Sequence, residues 1–367
     1  MKIECVKNKI TDLVLKISRV AGKTQNLPVL GCVLLSVEGG NLTVSATNLD
    51  FGVVGELPVR VFKGGRAAVP AQVLSSLLSQ LSGEGSIVFE VNNGNLAVSS
   101  GHSQTNIKLL NHEDYPAIPN ITDGAHRATI PITDLLGGLQ AVWYGAAASA
   151  MKPELSSIYV FQDQKQFVFV ATDSFRLAEK RVVTKKHTEL QPSLIPYKNA
   201  VDTIKVFDGV KGDVELVSTK NQASFFAAGI RAASRLIEGT FPDYQQIIPK
   251  NPKTEVVLLK QDLISALKTS TIFSGALHRV DFVVQPSKKL VTVSAESDHV
   301  GKNTTQLEAA MKGEEISISF NLRYLTDCFQ SLPQDSITLN FSGPHKPLVI
   351  RGVGDNTFTY LVMPMNR

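Results

Sequence analysis

"KNKITDLVLK" (Lys7–Lys16) and "IPITDLLGGL" (Ile130–Leu139) share the tetrapeptide Ile-Thr-Asp-Leu, and a blurred third copy, "KQDLISAL", begins at Lys260. Asp12, Asp134 and Asp262 hold the matching place, 122 and then 128 residues apart. A second marker follows each copy: "SATNLD" at Ser45, "VATDSF" at Val170 and "SAESDH" at Ser294. Its alanines, Ala46, Ala171 and Ala295, are 125 and 124 residues apart. Two independent markers therefore give a period near one third of the chain, and a period is the first thing to settle in a long sequence.

The segments between the markers match in type. Ile10, Leu13, Val14 and Ile17 recur with helical spacing, as do Ile132, Leu135, Leu136 and Leu139, and then Leu263, Ile264 and Leu267. Alternating hairpins follow. Val33, Leu35 and Val37 lead through Gly39-Gly40-Asn41 to Leu42, Val44 and Ala46. Ile158, Val160, Phe167, Phe169 and Ala171 repeat the pattern, then Val280, Phe282, Val284, Val291, Val293 and Ala295. Each unit predicts a second helix, on Leu74, Leu77, Leu78 and Leu81, on Ala200, Ile204 and Phe207, and on Leu322, Leu325, Phe329 and Leu332. Closing strands are "GSIVFEV" at Gly85, "GDVELVS" at Gly212 and "DSITLNF" at Asp335. The fold class is therefore α+β, with three repeated domains, each of two helices packed on antiparallel sheets. Linkers rich in Pro, Asn and Asp, at Asn111 and Gly239, place the domains at 1–121, 122–248 and 249–367.

Composition narrows the function. Hydrophobic residues at 43% and charged residues at 19% describe a globular protein, and 367 residues exceed one ordinary core. No apolar run approaches the roughly 18–20 residues that span a bilayer. The start, Met-Lys-Ile-Glu-Cys, does not read as a signal peptide, so a cytoplasmic location and no membrane partner are expected. Cys5, Cys32 and Cys328 are too dispersed for a disulfide or zinc pattern, and buried free thiols are expected. Seven scattered histidines, with no HExxH, nucleophile elbow or phosphate loop, argue against an enzyme.

Equivalent domains in a row can form an arc, and an arc with complementary ends can close with a second copy. Twelve helices packed about 8–10 Å apart enclose a bore of roughly 25 Å, wide enough for a nucleic-acid duplex. A net charge of +4 permits an anionic partner without demanding one. The helices carry Lys7, Lys9, Lys16 and Arg19, then Lys198 and Lys205, Lys260 and Lys268, and Arg323. Such sparse charge, without an aromatic stacking platform, suits loose, phosphate-directed contact. The other reading is a three-domain protein-binding adaptor that does not encircle DNA.

Four stretches, in order, carry a resemblance over essentially the whole chain: "LPVLG" at Leu27, "ATDSFRLA" at Ala171, "FPDYQQIIP" at Phe241 and "YLVMPMNR" at Tyr360. With the repeat, they resemble the bacterial DNA polymerase III beta subunit family, the sliding clamps. That resemblance implies the DNA clamp fold, half of a closed ring per chain, and a head-to-tail homodimer around double-stranded DNA. It implies no catalysis and no cofactor or metal. It implies as partners the polymerase III catalytic subunit, a clamp loader and other proteins bearing clamp-binding motifs. Carried over by motif, the peptide groove comprises Leu155, Thr172, Ser174, Phe175, Arg176, Leu177, Pro242, Gln246, Ile247, Val362, Met363, Pro364 and Met365. The apolar "VMPM" is unusual where a chain end is normally polar, and its methionines offer an adaptable surface. The resemblance also implies DNA-facing positions at Lys23, Thr24, Ser149, Lys152, Tyr197 and Lys198, and ring closure by Thr105 and Ile107 against Ile272 and Phe273. The chain departs from the family at Phe175, where histidine is usual, and at Gln245 and Gln246, where arginines are common. Lys23 is expected to replace the family's arginine as a point charge rather than a fork.

Overall fold

The computed structural model describes residues 1–22, 27–83, 85–121, 126–149, 151–184 and 190–365. The first repeat runs β1 (Lys2–Val6), α1 (Lys7–Ile17), β2 (Cys32–Glu38), β3 (Asn41–Thr47), β4 (Phe51–Pro58), β5 (Arg60–Lys63), β6 (Gly65–Pro70), α2 (Ala71–Gln80), β7 (Ser86–Asn92), β8 (Asn95–Ser100) and β9 (Ser103–Lys108). The second runs β10 (His126–Pro131), α3 (Ile132–Val142), β11 (Ser157–Asp163), β12 (Gln166–Thr172), β13 (Arg176–Val183), β14 (Ser193–Pro196), α4 (Tyr197–Val206), β15 (Asp213–Ser218), β16 (Gln222–Ala227) and β17 (Ile230–Arg235). The third runs β18 (Thr254–Leu259), α5 (Lys260–Thr271), β19 (Arg279–Gln285), β20 (Leu290–Ser297), β21 (Gly301–Glu308), β22 (Ala310–Gly313), β23 (Ile316–Asn321), α6 (Leu322–Asp327), β24 (Ser336–Phe341), β25 (Leu348–Gly352) and β26 (Phe358–Val362).

The chain packs into two compact units, one of residues 1–136 and 186–236, the other of residues 137–185 and 237–367. The first holds sheets ordered β5-β1-β7-β8-β9 and β10-β15-β16-β17-β4-β3-β2-β6. The second holds β21-β20-β19-β23 and the run β11-β12-β13-β26-β25-β24-β18-β22. These ladders are antiparallel. In each unit the last strand of one repeat joins the repeat before it. β17 pairs with β4, with Ala232 opposite Val53, and β26 pairs with β13, with Tyr360 opposite Ala178.

The repeat markers explain this regularity. Ala46, Ala171 and Ala295 are buried on β3, β12 and β20. Gly39 and Gly40 both take positive φ, the backbone a tight hairpin demands. Each first helix opens without a visible side-chain cap at α1 or α5, so its leading amide needs another acceptor. It finds one at the head of the closing strand: Lys7 N donates to Gly85 O (3.0 Å), Ile132 N to Gly212 O (2.9 Å) and Lys260 N to Asp335 O (2.8 Å). The predicted stripes are buried at Ile10, Leu13, Val14 and Ile17, and at Leu263 and Leu267. Leu136 and Ile264 are only half-buried.

Two expectations change. The sixth helix ends at Asp327 and tightens into a 3-10 turn over Cys328–Ser331, instead of continuing to Leu332. Asn321 caps its start by accepting from the Arg323 and Tyr324 amides, and Pro333 follows closely after its end. Lys7 and Lys260 are not free helix-face charges. Lys7 is 5% exposed and donates to the Gly83 carbonyl, and Lys260 Nζ donates to Leu332 O at 2.6 Å. All three cysteines are buried free thiols. Among the described residues no helix is long and apolar enough to cross a membrane.

Candidate functional site

The residues expected to form a peptide groove lie in the second unit, where β13 meets β26. Thr172 and Leu177 are buried opposite one another on β12 and β13, and β26 sets Leu361 opposite Leu177 on the same face; Val362 lies opposite Arg176, one residue along and so on the other face of the sheet, which corrects its expected place beside Leu177. Leu155 is also buried, just ahead of β11, its carbonyl accepting from Ala147 N at 2.8 Å.

The turn from Thr172 to Arg176 is locked by short-range bonds. The Thr172 hydroxyl donates to Arg176 O (2.6 Å) and accepts from Ser174 N (3.2 Å). Asp173 Oδ1 accepts from the Phe175 and Arg176 amides at 2.9 and 3.0 Å. Ser174 takes φ of 77°, a strained value for a non-glycine residue that this bonding compensates. The turn presents Phe175 outward, 59% exposed, its ring stacked on Tyr324 with centroids 6.2 Å apart. Arg176 lies under the same tyrosine, with Asp173 Oδ2 at 2.9 Å from Nε and Asp327 on Nη1. Burial opposes the guanidinium charge, but the Tyr360 phenol and the two carboxylates outweigh it, so Arg176 holds its proton more strongly than usual.

The tail closes the rim. Met363 N donates to Phe175 O and Met365 N to Ser319 O, both at 2.8 Å. Met363 is 37% exposed, while Pro364 and Met365 are half-buried. The linker supplies Pro242, Gln246 and Ile247, all exposed. Tyr244 anchors it by donating to the buried Glu179 Oε2 at 2.5 Å, and Glu179 also accepts from Arg181 at 2.8 Å. Burial first, and then Glu179, push the Tyr244 phenol well above its usual range. Gln246 turns back to Asp243 at 2.6 Å.

Tyr324, Asp327, Glu179 and Tyr244 were not singled out from sequence. The aromatic Tyr324, off the buried stripe of Leu322 and Leu325, was the available signal.

The other expected sites are scattered by comparison. Lys23 and Thr24 lie outside the described residues. Ser149, Lys152 and Lys198 are exposed, and Tyr197 is half-buried at the start of α4. Lys16 is paired with Asp12 at 3.1 Å and Lys205 with Asp202 at 3.5 Å, which thins the basic face further. Thr105 is half-buried on β9, an edge strand. Ile107 is 4% exposed, committed to its own core. Ile272 is 65% exposed and Phe273 half-buried, and Leu277 and Val300, absent from the expected set, are 69% and 57% exposed on the same repeat. No group of three metal-ligating side chains occurs among the described residues.

A thrice-repeated α+β unit of this strand order is the architecture of the clamp class of proteins. Profiles of the DNA polymerase III beta subunit match in order: the N-terminal domain over residues 1–119, the central domain over 129–243 and the C-terminal domain over 245–366. The chain belongs to the DNA polymerase III beta subunit family. It is 25% identical to the beta sliding clamps of Synechocystis and of Bacillus subtilis, over 100% of this chain and 99% of each relative. The crystal structure of the Thermotoga maritima beta subunit superposes with a TM-score of 0.94 at 22% identity, covering 100% and 99% of the two chains.

Proposed function

We propose that two copies of this chain close head to tail around duplex DNA, and that the ring tethers the replicative polymerase and other DNA-processing proteins through the groove. The chain is an accessory factor and not an enzyme, as its family is. Its domains are read as 1–121, 122–248 and 249–367. The clamp loader and the polymerase III catalytic subunit are the expected groove partners, in the cytoplasm. An adaptor that never encircles DNA is not favoured.

One observation carries the reading. Two of the three possible joints between repeats are made inside the chain, β17 on β4 and β26 on β13. The strands left over are β9, which ends the first repeat, and β21, the counterpart of β4 and β13. Both are sheet edges. Unpaired edges template pairing with another chain. The existing joints also fix a register for the missing one. Ile3, Ala128 and Val256 each stand four residues before their helix. Followed across the ladders, they lead to Thr105, Ala232 and Tyr360 respectively. Ala232 and Tyr360 face Val53 and Ala178, which in turn lie opposite the marker alanines Ala46 and Ala171. The residue opposite the third marker, Ala295, is Asn303. Thr105 therefore pairs with Asn303 of the partner subunit. The exposed Ile272, Leu277 and Val300 supply apolar surface on that repeat.

DNA contact rests on exposed side chains such as Lys198, with Lys152, Ser149, Tyr197, Lys23 and Thr24 as further candidates. Few charges make it sequence-independent and salt-sensitive.

Cysteines at Thr105 and Asn303 test the closure. Directly opposed strand residues lie about 4.5–5.5 Å apart, within disulfide range. Oxidation is expected to give covalent dimers that stay on nicked circular DNA and leave once it is linearised. The offset pair Thr105→Cys with Thr304→Cys should not cross-link. A chain that sediments as a monomer at micromolar concentration and near physiological salt removes the ring.

A further inference from the structure

The third repeat departs from the other two beside its opening strand. Val59 N donates to Gly40 O, Thr184 N to Lys165 O and Ala309 N to Lys289 O, at 3.1, 2.8 and 3.1 Å. These bonds mark equivalent hairpin turns. The first is Gly39-Gly40 and the second Gln164-Lys165, but the third runs from Pro286 to Lys289. It winds a 3-10 turn over Pro286–Lys288 and leaves Lys289 in left-handed backbone, φ 55°. Lys288 and Lys289 are exposed, and neither has an ion-pair partner among the described residues.

A second departure faces that turn. β1 and β18 are equivalent strands, and each pairs with a sheet edge, β5 or β22. In the first repeat Glu4 stands opposite Arg60, and the two form an ion pair at 3.7 Å. The equivalent residues in the third are Val257 and Ala310, again directly opposite one another. A small apolar pair thus replaces two long charged side chains, and a cleft of about 940 Å³ lies there. Val257, Leu259, Leu290 and Met311 give it apolar walls, and Lys288 and Lys289 line it from the turn. Leu259 is 53% exposed, while Val257, Leu290 and Met311 are half-buried. Glu308 is the one acid in the lining, so the two lysines leave the cleft net positive.

We infer that this cleft is a docking site for a short acidic segment of a partner protein, which lays one aliphatic side chain over Val257 and Leu259. Burying that side chain removes apolar surface from water on both partners. Carboxylates on either side of it complement Lys288 and Lys289, whose flexible point charges tolerate some variation in where the acids fall. A lengthened surface turn is also where a repeat can gain a binding function without disturbing its core. The first repeat is closed at the same place by Glu4 and Arg60. The cleft shares no residue with the groove at Phe175, so the two are separate sites on one chain.

Fluorescence anisotropy with a labelled synthetic peptide, one leucine between two pairs of aspartates, tests this on the full chain. Saturable binding that weakens with added salt is expected. Lys288→Glu with Lys289→Glu should weaken it roughly tenfold or more. Val257→Glu with Ala310→Arg, which rebuilds the first repeat's ion pair, should do the same. If that variant misfolds, the lysine pair still decides. Phe175→Asp should leave the binding of this peptide unchanged. An absence of saturable binding overturns the inference, as does binding that both cleft variants keep or that Phe175→Asp removes. Retention on phosphatidylglycerol vesicles in place of peptide binding, lost with the lysine pair, would make the surface a lipid contact and equally overturn it. Failure of the groove reading leaves this site standing, because no residue is common to the two.

Discussion

The guanidinium carbon of Arg176 lies 4.7 Å from the centre of the Tyr324 ring, so a buried charge supports the aromatic shelf on which Phe175 rests. Arg176→Ala leaves Asp173 short of its partner, 12% exposed in its side chain, and removes the floor under Tyr324. A loss of about 3 kcal/mol is expected, the scale for removing one member of a buried pair. Denaturant unfolding measures it, and peptide affinity should fall at least tenfold. A variant of unchanged stability would mean that the cluster is better solvated than its geometry implies.

Tyr244→Phe removes the bond to Glu179 while Arg181 remains. Roughly 1–2 kcal/mol of stability should go, the cost of an unmade buried hydrogen bond. Because the linker carries Pro242, Gln246 and Ile247, peptide binding should weaken several-fold with no change in quaternary state. Sedimentation alongside calorimetry separates the two effects.

Ile272→Ala combined with Phe273→Ala is expected to give monomers. Phe273 is only half-buried and Ile272 mostly exposed, so the monomer should keep its fold by circular dichroism. A double variant that still sediments as a dimer would shift the weight of closure onto Leu277, Val300 and the strand edges.

Alkaline pH should destabilise the protein. Burial pushes Cys5 up to about 12 and Cys32 up to about 11, from an ordinary value of 9.0, and raises the phenols of Tyr115, Tyr144 and Tyr360. These groups stay protonated in the folded chain while the unfolded chain ionises. Stability is therefore full below pH 9 and falls as pH climbs through about 11–12. Unfolding midpoints measured between pH 7 and 11 should drop, and Cys32→Ala should soften the slope.

The repeat was legible because it is written in buried residues. Ala46, Ala171 and Ala295 are each all but fully buried, and the flanking alternation reads directly as strand. The groove was only partly legible. Phe175 and Met363 stood out as apolar residues in turn and tail. Tyr324 and Asp327 come from α6, some 150 residues away in sequence from Arg176, and only the fold brings them there. Lys7 and Lys260 misled for the opposite reason. A lysine at a helix start looks solvated until the loop whose carbonyl it reaches is known. Ile107 was equally opaque, because alternation on an edge strand does not say which face is already covered.

The joint between β4 and β17 also sets a timetable. β4 ends at Pro58 and its partner begins at Ile230. At about 5–20 residues per second of synthesis, β4 waits on the order of 10–30 s with one edge unpaired. β13 waits similarly for β26. Pairings so distant in sequence form late, after the local hairpins. The nascent chain is thus most prone to mispairing and aggregation in mid-synthesis, which makes a chaperone's shelter most valuable before the final strands emerge.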